Sequence, residues 1–209
     1  MKSIKKLSIF AISSLLIISC SGEATPEAPE KSAEPCLYNY DKTTSSVEWT
    51  AFKFTEKKGV GGKFEKVNVL ISAPAEDMFQ TLTGASFTIP VETVNSANED
   101  RDMKIKAHFF GSMESTSVIS GLVKSIDSKS ATVELTMNGV SHDYEGPVTV
   151  DGETIGFSST INLTDFEAEY AIDSLNTVCD DLHKGADGVS KLWTEVDINV
   201  TTTLKKVCP

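Results

Sequence analysis

Four stretches of this 209-residue chain alternate apolar and polar residues one by one, and that period limits what the chain can fold into. Ala131, Val133, Leu135 and Met137 interleave with Thr132, Glu134 and Thr136. Ile155, Phe157, Ile161 and Leu163 form a second row, with Ser159 the exception. Val196, Ile198, Val200 and Leu204 form a third, against Glu195, Asp197, Asn199 and Thr203. Ala85, Phe87, Ile89 and Val91 form the fourth, with Pro90 on the opposite face. Successive side chains of a strand point to opposite sides, so each row marks a strand with one buried and one wet face. Sheets with one solvated face are antiparallel. Asn138-Gly139 and Asp151-Gly152 each separate two such runs, the strongest short-range signal for a hairpin.

Eight strands are predicted, over 45–54, 60–72, 84–93, 115–126, 130–138, 140–150, 153–164 and 191–206. The parity slips twice. Val47, Trp49 and Ala51 share a face while Phe52 and Phe54 take the other, and Phe64 is out of step with Val67, Val69 and Ile71. Bulges account for such slips. Two segments read as helix. Ser96-Ala97-Asn98-Glu99 matches a capping box, followed by Met103, Ala107 and Phe110 at helical spacing. Asp173 to Gly185 places Leu175, Val178, Cys179 and Leu182 on one stripe, with Gly185 as C-cap. On that stripe Cys179 is expected to be a buried, inert thiol. The expected fold class is all-β: an antiparallel up-and-down barrel of eight strands, with one or two short helices at its mouth. Pattern alone leaves a sandwich open, and the consecutive tight hairpins through 130–164 favour the barrel.

The N-terminus carries a different signal. Lys2, Lys5 and Lys6 precede twelve uncharged residues, Leu7 to Ile18. At about 1.5 Å per residue these span roughly 18 Å, short of the ~30 Å hydrocarbon core. Residues 1–19 are therefore expected to be a secretory signal. Ile17-Ile18-Ser19-Cys20 resembles the bacterial lipobox, which makes Cys20 the expected site of lipid attachment; each buried CH₂ of an acyl chain adds about 0.8 kcal/mol of membrane affinity. Ser21 to Pro35 holds three prolines, four glutamates and no large apolar residue, so residues 20–35 are expected to be the acylated cysteine and a flexible tether. Residues 36–209 then form one domain. The expected location is the bacterial cell envelope, lipid-anchored at a periplasmic or outer-membrane face.

The formal net charge is −11, and losing the three lysines of residues 1–19 leaves the mature chain near −14. Such a charge argues against nucleic acid and against a polybasic contact with anionic lipid, so membrane association falls to the anchor. Three cysteines remain once Cys20 is acylated. Cys36 and Cys208 bracket the domain, and if the first and last strands lie side by side antiparallel these two ends meet; a Cys36–Cys208 bridge is predicted. The oligomeric state is open, a homodimer included.

Several segments resemble the YceI-like family of bacterial periplasmic and secreted lipid-binding proteins, over nearly all of 37–207. They are "YNYDKTTSSVEWTAFK", "VGGKFEKVNV", "VNSANEDRDMKIKAHFF", "ELTMNGVSHDYEGPVTV" and "INLTDFEAEY". Most specific are Asn98-x-x-Arg101-Asp102 leading into Phe109-Phe110, and the Leu135 to Val140 hairpin. The resemblance implies a lipocalin-like barrel of eight strands around a long apolar cavity, holding a polyisoprenoid such as an isoprenoid quinone tail. It implies no catalytic set. The stretch 173–192 is longer than the family needs.

On this reading the residues expected to line the cavity are Trp49, Phe64, Phe87, Ile89, Phe109, Phe110, Leu135, Met137, Phe157, Ile161 and Phe166. Small residues in the inward rows, Ala51, Ala85, Ala131 and Gly146, either leave a channel or fit the taper of a filled core. Arg101 is placed at the mouth, or in a local pair with Asp102. No metal is expected, since His108, His142 and His183 show no ligand spacing, and no carboxylate pair is placed for acid–base work. The expected function is binding of an apolar lipid by an anchored lipoprotein, for sequestration or transport, and not catalysis. The alternative is a filled barrel whose loops bind a protein or glycan.

Overall fold

The computed structural model describes residues 34–209. The expected leader, the acylation site and nearly all of the tether lie outside the described residues. Strands β1 (Leu37–Tyr40), β2 (Ser46–Lys53), β3 (Lys58–Phe64) and β4 (Asn68–Leu70) come first, followed by helix α1 (Met78–Leu82). Next are β5 (Ser86–Pro90), a 3-10 turn over Val91–Thr93, and β6 (Val94–Asn95). Helix α2 (Glu99–Lys104) runs into a π-helical turn, Ile105–Phe109, and a 3-10 turn, Phe110–Ser112. A meander follows: β7 (Val118–Ile126), β8 (Ser130–Met137), β9 (Val140–Asp151) and β10 (Thr154–Asn162). Helices α3 (Glu169–Val178) and α4 (Asp180–His183) then precede β11 (Leu192–Val207). Among the described residues no helix is long and apolar enough to cross a membrane.

All strands pair antiparallel, in the order β4-β5-β7-β8-β9-β10-β11-β2-β3-β6. The two ends of that order belong to the same two staves. β4 continues β3 after three residues, and β6 continues β5 through the 3-10 turn. Phe64 pairs with Val94 and Asn68 with Thr88, so the 58–70 and 86–95 segments run side by side and the sheet meets itself. The result is the expected ring of eight up-and-down staves. The larger strand count comes from the two interrupted staves and from β1, an addition to the end of β11.

The parity slips have separate causes. The pairing of β3 with β6 and of β4 with β5 differs by two residues, so the slip after Phe64 is the gap between β3 and β4. β2 pairs with β3 without interruption, and the irregularity beside Phe52 lies on the partner, between Leu192 and Val196 of β11. The tight turns follow their residues. Asn138 and Gly139 both have positive φ, as a type I′ hairpin demands, and Gly152 takes φ +60 at the first central position of the next.

Both helical predictions need correction. Asn98, not Ser96, caps α2, accepting from Arg101 N at 2.9 Å. Ser96 instead donates twice to Asp102 Oδ1, from its N at 2.9 Å and its Oγ at 2.6 Å, and both residues are buried. Asn98 and Asp102 thus fix the turn into α2. The change to π geometry after Lys104 rotates the faces, so Met103 is 60% exposed while Phe110 is buried. In the second segment the helix starts four residues earlier and breaks at Cys179. Its buried side carries Ala171, Ile172 and Cys179, whereas Val178 and Leu182 face solvent.

The hairpin tip holds the helical end in place. Asn138 Oδ1 accepts from Glu114 N and from the Tyr170 hydroxyl, both at 2.8 Å, and its Nδ2 donates to Phe166 O at 2.9 Å. At the opposite end β1 lies along β11, with Leu37 opposite Val207, and Cys36 is disulfide-bonded to Cys208. Helix α1, capped by Asp77, packs beside β1: Thr81 Oγ1 bonds Tyr38 O at 3.3 Å and receives Ala75 N at 3.1 Å.

Candidate functional site

The inward faces of the staves enclose two apolar chambers in line. Chamber 1, beneath the helical end, has a volume of ≈ 160 Å³, and chamber 2, toward the disulfide end, ≈ 140 Å³. Val47, Ile89, Leu135, Ile161 and Ile198 line both, so they form the waist between the chambers. Phe87, Leu135, Phe157 and Val200 point inward yet are only half-buried, because the space beside them admits a water-sized sphere. Close-packed interiors leave few such voids.

Each side chain expected in the cavity lines a chamber. Trp49, Phe64, Met137 and Phe166 line chamber 1, together with Phe109 and Phe110 from the turns after α2. Phe87 and Phe157 line chamber 2, and Ile89, Leu135 and Ile161 line both. Arg101 lines neither; it is exposed, and its Nη1 reaches Ser96 O at 3.5 Å. His142 faces Asp165 across 3.9 Å, and His183 Nδ1 meets Asn176 Oδ1 at 2.9 Å. Among the described residues no three His, Cys, Asp or Glu side chains come together to hold a metal.

Glycines explain how bulky rings coexist with open space. Trp49 lies across Gly62 on the neighbouring stave, where an added Cβ would sit 2.3 Å from the indole. Phe87 lies across Gly121, where a Cβ would sit 2.3 Å from both the ring and Glu134 O. A ring flat against a wall without side chains thickens the wall and spares the lumen. Such aromatic–glycine pairs also offset the instability of glycine in a strand.

A YceI-like domain model matches residues 38–204. The chain belongs to the YceI-like domain family. UPF0312 proteins from two Staphylococcus epidermidis strains are 24% identical to it over 115 residues, which is 55% of this chain and 66% of theirs, just under two thirds of the relatives' length. Among solved structures it is similar to a polyisoprenoid binding domain from Saccharophagus degradans implicated in plant cell wall breakdown (TM-score 0.59, 15% identity, 83% of this chain and 98% of that one). It is also similar to Burkholderia cenocepacia BcnA (TM-score 0.55, 17% identity, 80% and 99%). At these identities the likeness establishes the shared barrel fold.

The walls of this YceI-like barrel carry almost no charge chemistry. Among the described residues no charged side chain lines either chamber. The Trp49 Nε1–H is buried without a hydrogen-bond partner among the described residues. Tyr144, on the wall of chamber 2, donates to Asp165 Oδ2 at 2.8 Å, and burial followed by that carboxylate pushes its phenol above the ordinary range. It therefore stays a neutral donor. His183, under α3, is pushed down from 6.5 to about 4, first by burial and then by Lys53 and Lys104, so it is neutral at physiological pH.

The sequence reading missed several wall residues. Ile105, Ile172 and Leu175 come from the helical cover, and Phe52 and Trp193 from the two sides of the irregular β2–β11 pairing. Tyr40, Ser45, Ser159 and Thr202 bring hydroxyls to chamber 2. A signal existed for two of these: Ser159 and Thr202 occupy inward places in the rows 155–161 and 196–204, where every neighbour of the same parity is apolar.

Proposed function

We propose that this protein binds a single long apolar lipid, a polyisoprenoid or isoprenoid quinone, along the two chambers, and sequesters or carries it. The observation that carries this reading is the pair of adjacent apolar chambers, which share a waist of five aliphatic side chains and are lined by no charged group among the described residues. A flexible hydrocarbon chain suits two narrow chambers in line. At about 25 cal/mol per Å², each ~100 Å² of tail removed from water contributes about 2.5 kcal/mol before ordering costs. The polyisoprenoid binding described for the Saccharophagus degradans domain supports the choice of lipid. The filled-scaffold alternative requires packed side chains where the chambers lie.

The role is binding, with no chemical step. Lipid attachment at Cys20 would hold the barrel at a membrane surface, where poorly soluble cargo is exchanged. A disulfide between Cys36 and Cys208 suits the oxidising environment of the cell envelope. The test is organic extraction of protein purified from its own membranes, followed by mass spectrometry. A stoichiometric isoprenoid lipid is expected, and a Leu135→Trp variant, blocking the waist, should lose it. An extract empty of long-chain lipid, from protein that also takes up no added isoprenoid, would overturn the proposal.

A further inference from the structure

Chamber 2 differs from chamber 1 in one chemical respect. Three hydroxyls on its wall form a chain: Tyr40 Oη to Ser45 Oγ at 2.9 Å, and Ser45 Oγ to Thr202 Oγ1 at 2.8 Å. Among the described residues these two bonds are the only ones the three side chains make. Each hydroxyl brings one donor and two acceptor sites. Three donors and two bonds leave one O–H over, whichever way the bonds run. Ser159 adds a fourth hydroxyl to the same wall, its donor already committed to Glu145 O at 2.9 Å.

We infer that the Tyr40–Ser45–Thr202 chain is a head-group site, taking an uncharged end group with an acceptor oxygen, a carbonyl or a hydroxyl, while the isoprenoid tail runs through the waist into chamber 1. This rests on the lipid-binding reading above. The surplus O–H donates to the end group, and the spare lone pairs accept from it if it is an alcohol. A phosphorylated end group does not fit here. No cation lines chamber 2 among the described residues, and an unpaired phosphate carried into an apolar chamber faces a heavy desolvation cost.

The inference is tested on full-length protein stripped of lipid. The probes are three ligands with tails of one length: a benzoquinone with an isoprenoid tail, the headless isoprenoid hydrocarbon, and the polyprenyl monophosphate. Wild type should bind the quinone roughly 3–10-fold more tightly than the hydrocarbon, the value of one net hydrogen bond, and the monophosphate less tightly than the quinone. The triple variant Tyr40→Phe, Ser45→Ala and Thr202→Val, which removes every donor of the chain, should lose the quinone preference and keep the hydrocarbon affinity within about twofold. Thr202→Val and Tyr40→Phe alone each leave two hydroxyls joined by one bond, hence one O–H over, and should keep the preference. If the triple variant does not fold, the carbonyl stretch of the quinone bound to wild type reads out the bond, and it should lie at lower frequency than in a hydrocarbon solvent. Equal wild-type affinity for quinone and hydrocarbon, a preference that survives in the folded triple variant, an unshifted carbonyl stretch, or the monophosphate as tightest ligand would each overturn the head-group site alone. Failure of wild type to bind any of the three would overturn the lipid-binding reading beneath it.

Discussion

Chamber 1 and chamber 2 are nearly equal in size and are closed by different means. Chamber 1 is covered by the π-helical turn over Ile105–Phe109 and by α3, held through side-chain contacts and through the Asn138 hairpin tip. Chamber 2 is closed beside β1 and α1, with Leu82 on its wall and β1 cross-linked to β11 through Cys36 and Cys208. One cover can open by breaking non-covalent contacts in a short, irregular helix; the other is tied by a covalent bond. Local openings draw on the least stable parts of a structure. On the proposed lipid-binding reading, a lipid would enter on the side of chamber 1, and chamber 2 would be the fixed end.

The most severe way to break that contrast is to remove the cross-link. Replacing Cys36 and Cys208 by serine together should lower stability by about 2–5 kcal/mol, since the bridge closes a loop of 172 residues in the unfolded chain. The loss is measured by denaturant unfolding. Native-state hydrogen exchange should rise in β1 and α1 and hardly change in α3. Equal loosening of both ends would mean that the two covers are not independent.

A smaller effect addresses the walls. At Gly121 an added Cβ would lie 2.3 Å from the backbone oxygen of Glu134 as well as from the Phe87 ring, whereas at Gly62 the closest atoms belong to the Trp49 side chain and the backbone oxygen of Asn95 is farther, at 2.9 Å. Backbone yields less than a ring. Gly121→Ala should cost about 1–3 kcal/mol and drive Phe87 into chamber 2. Gly62→Ala should cost less and narrow chamber 1. Isoprenoid affinity and unfolding free energy, measured together on both variants, check the ranking; equal costs would remove the distinction between the walls.

These features were legible in the sequence to different degrees. The staves were, because period two leaves little freedom: a shift of one residue would turn Val133, Leu135 and Met137 to solvent and Thr132 and Glu134 inward. The inward rows therefore named the lining aromatics Trp49, Phe87 and Phe157, and the hairpins at Asn138 and Gly152 followed from their turn residues. The two helices of the cover were legible as helices, but the faces they bury were not. The stripe through Met103 and Ala107 assumed 3.6 residues per turn, and the π turn after Lys104 breaks that period. Nor did the pattern separate a lumen from a core. The same apolar row serves both, and the glycines that hold Trp49 and Phe87 against the wall lie on adjacent staves, a relation visible only once register is known.

A subtler difference concerns an indole donor. Trp49 Nε1 is buried in the wall of chamber 1 without a partner among the described residues, while the indole of Trp193, on the same chamber, donates to Phe54 O at 2.7 Å. Leaving a buried N–H unmet costs about 1–3 kcal/mol. Trp49→Phe deletes that cost together with some ring contact. The change in stability should be within about 1 kcal/mol, whereas Trp193→Phe, which removes one of the two donors to Phe54 O and leaves it Lys57 N at 3.2 Å, should be the more destabilising. Denaturant titration of both variants decides; a large loss for Trp49→Phe alone would mean that its N–H is met.

The smallest expected effect is a pH dependence confined to the cover of chamber 1. His183 has its pKa pushed down from 6.5 to about 4 in the folded protein, by burial first and by Lys53 and Lys104 after it. Between those values the unfolded chain binds the proton and the folded chain does not, so stability rises with pH there. The contribution is fully present above about pH 6.5, declines as pH falls, and stops changing below about pH 4. Because His183 bonds Asn176 of α3, protonation should loosen α3 and α4 before it touches β1 or the staves. Proton NMR should give a titration midpoint for the His183 ring near 4, and His183→Gln should remove its share of the stability slope between pH 4 and 6.5. A midpoint near 6.5 would mean that α4 leaves this imidazole in water, and the cover of chamber 1 would then be looser than its packing implies.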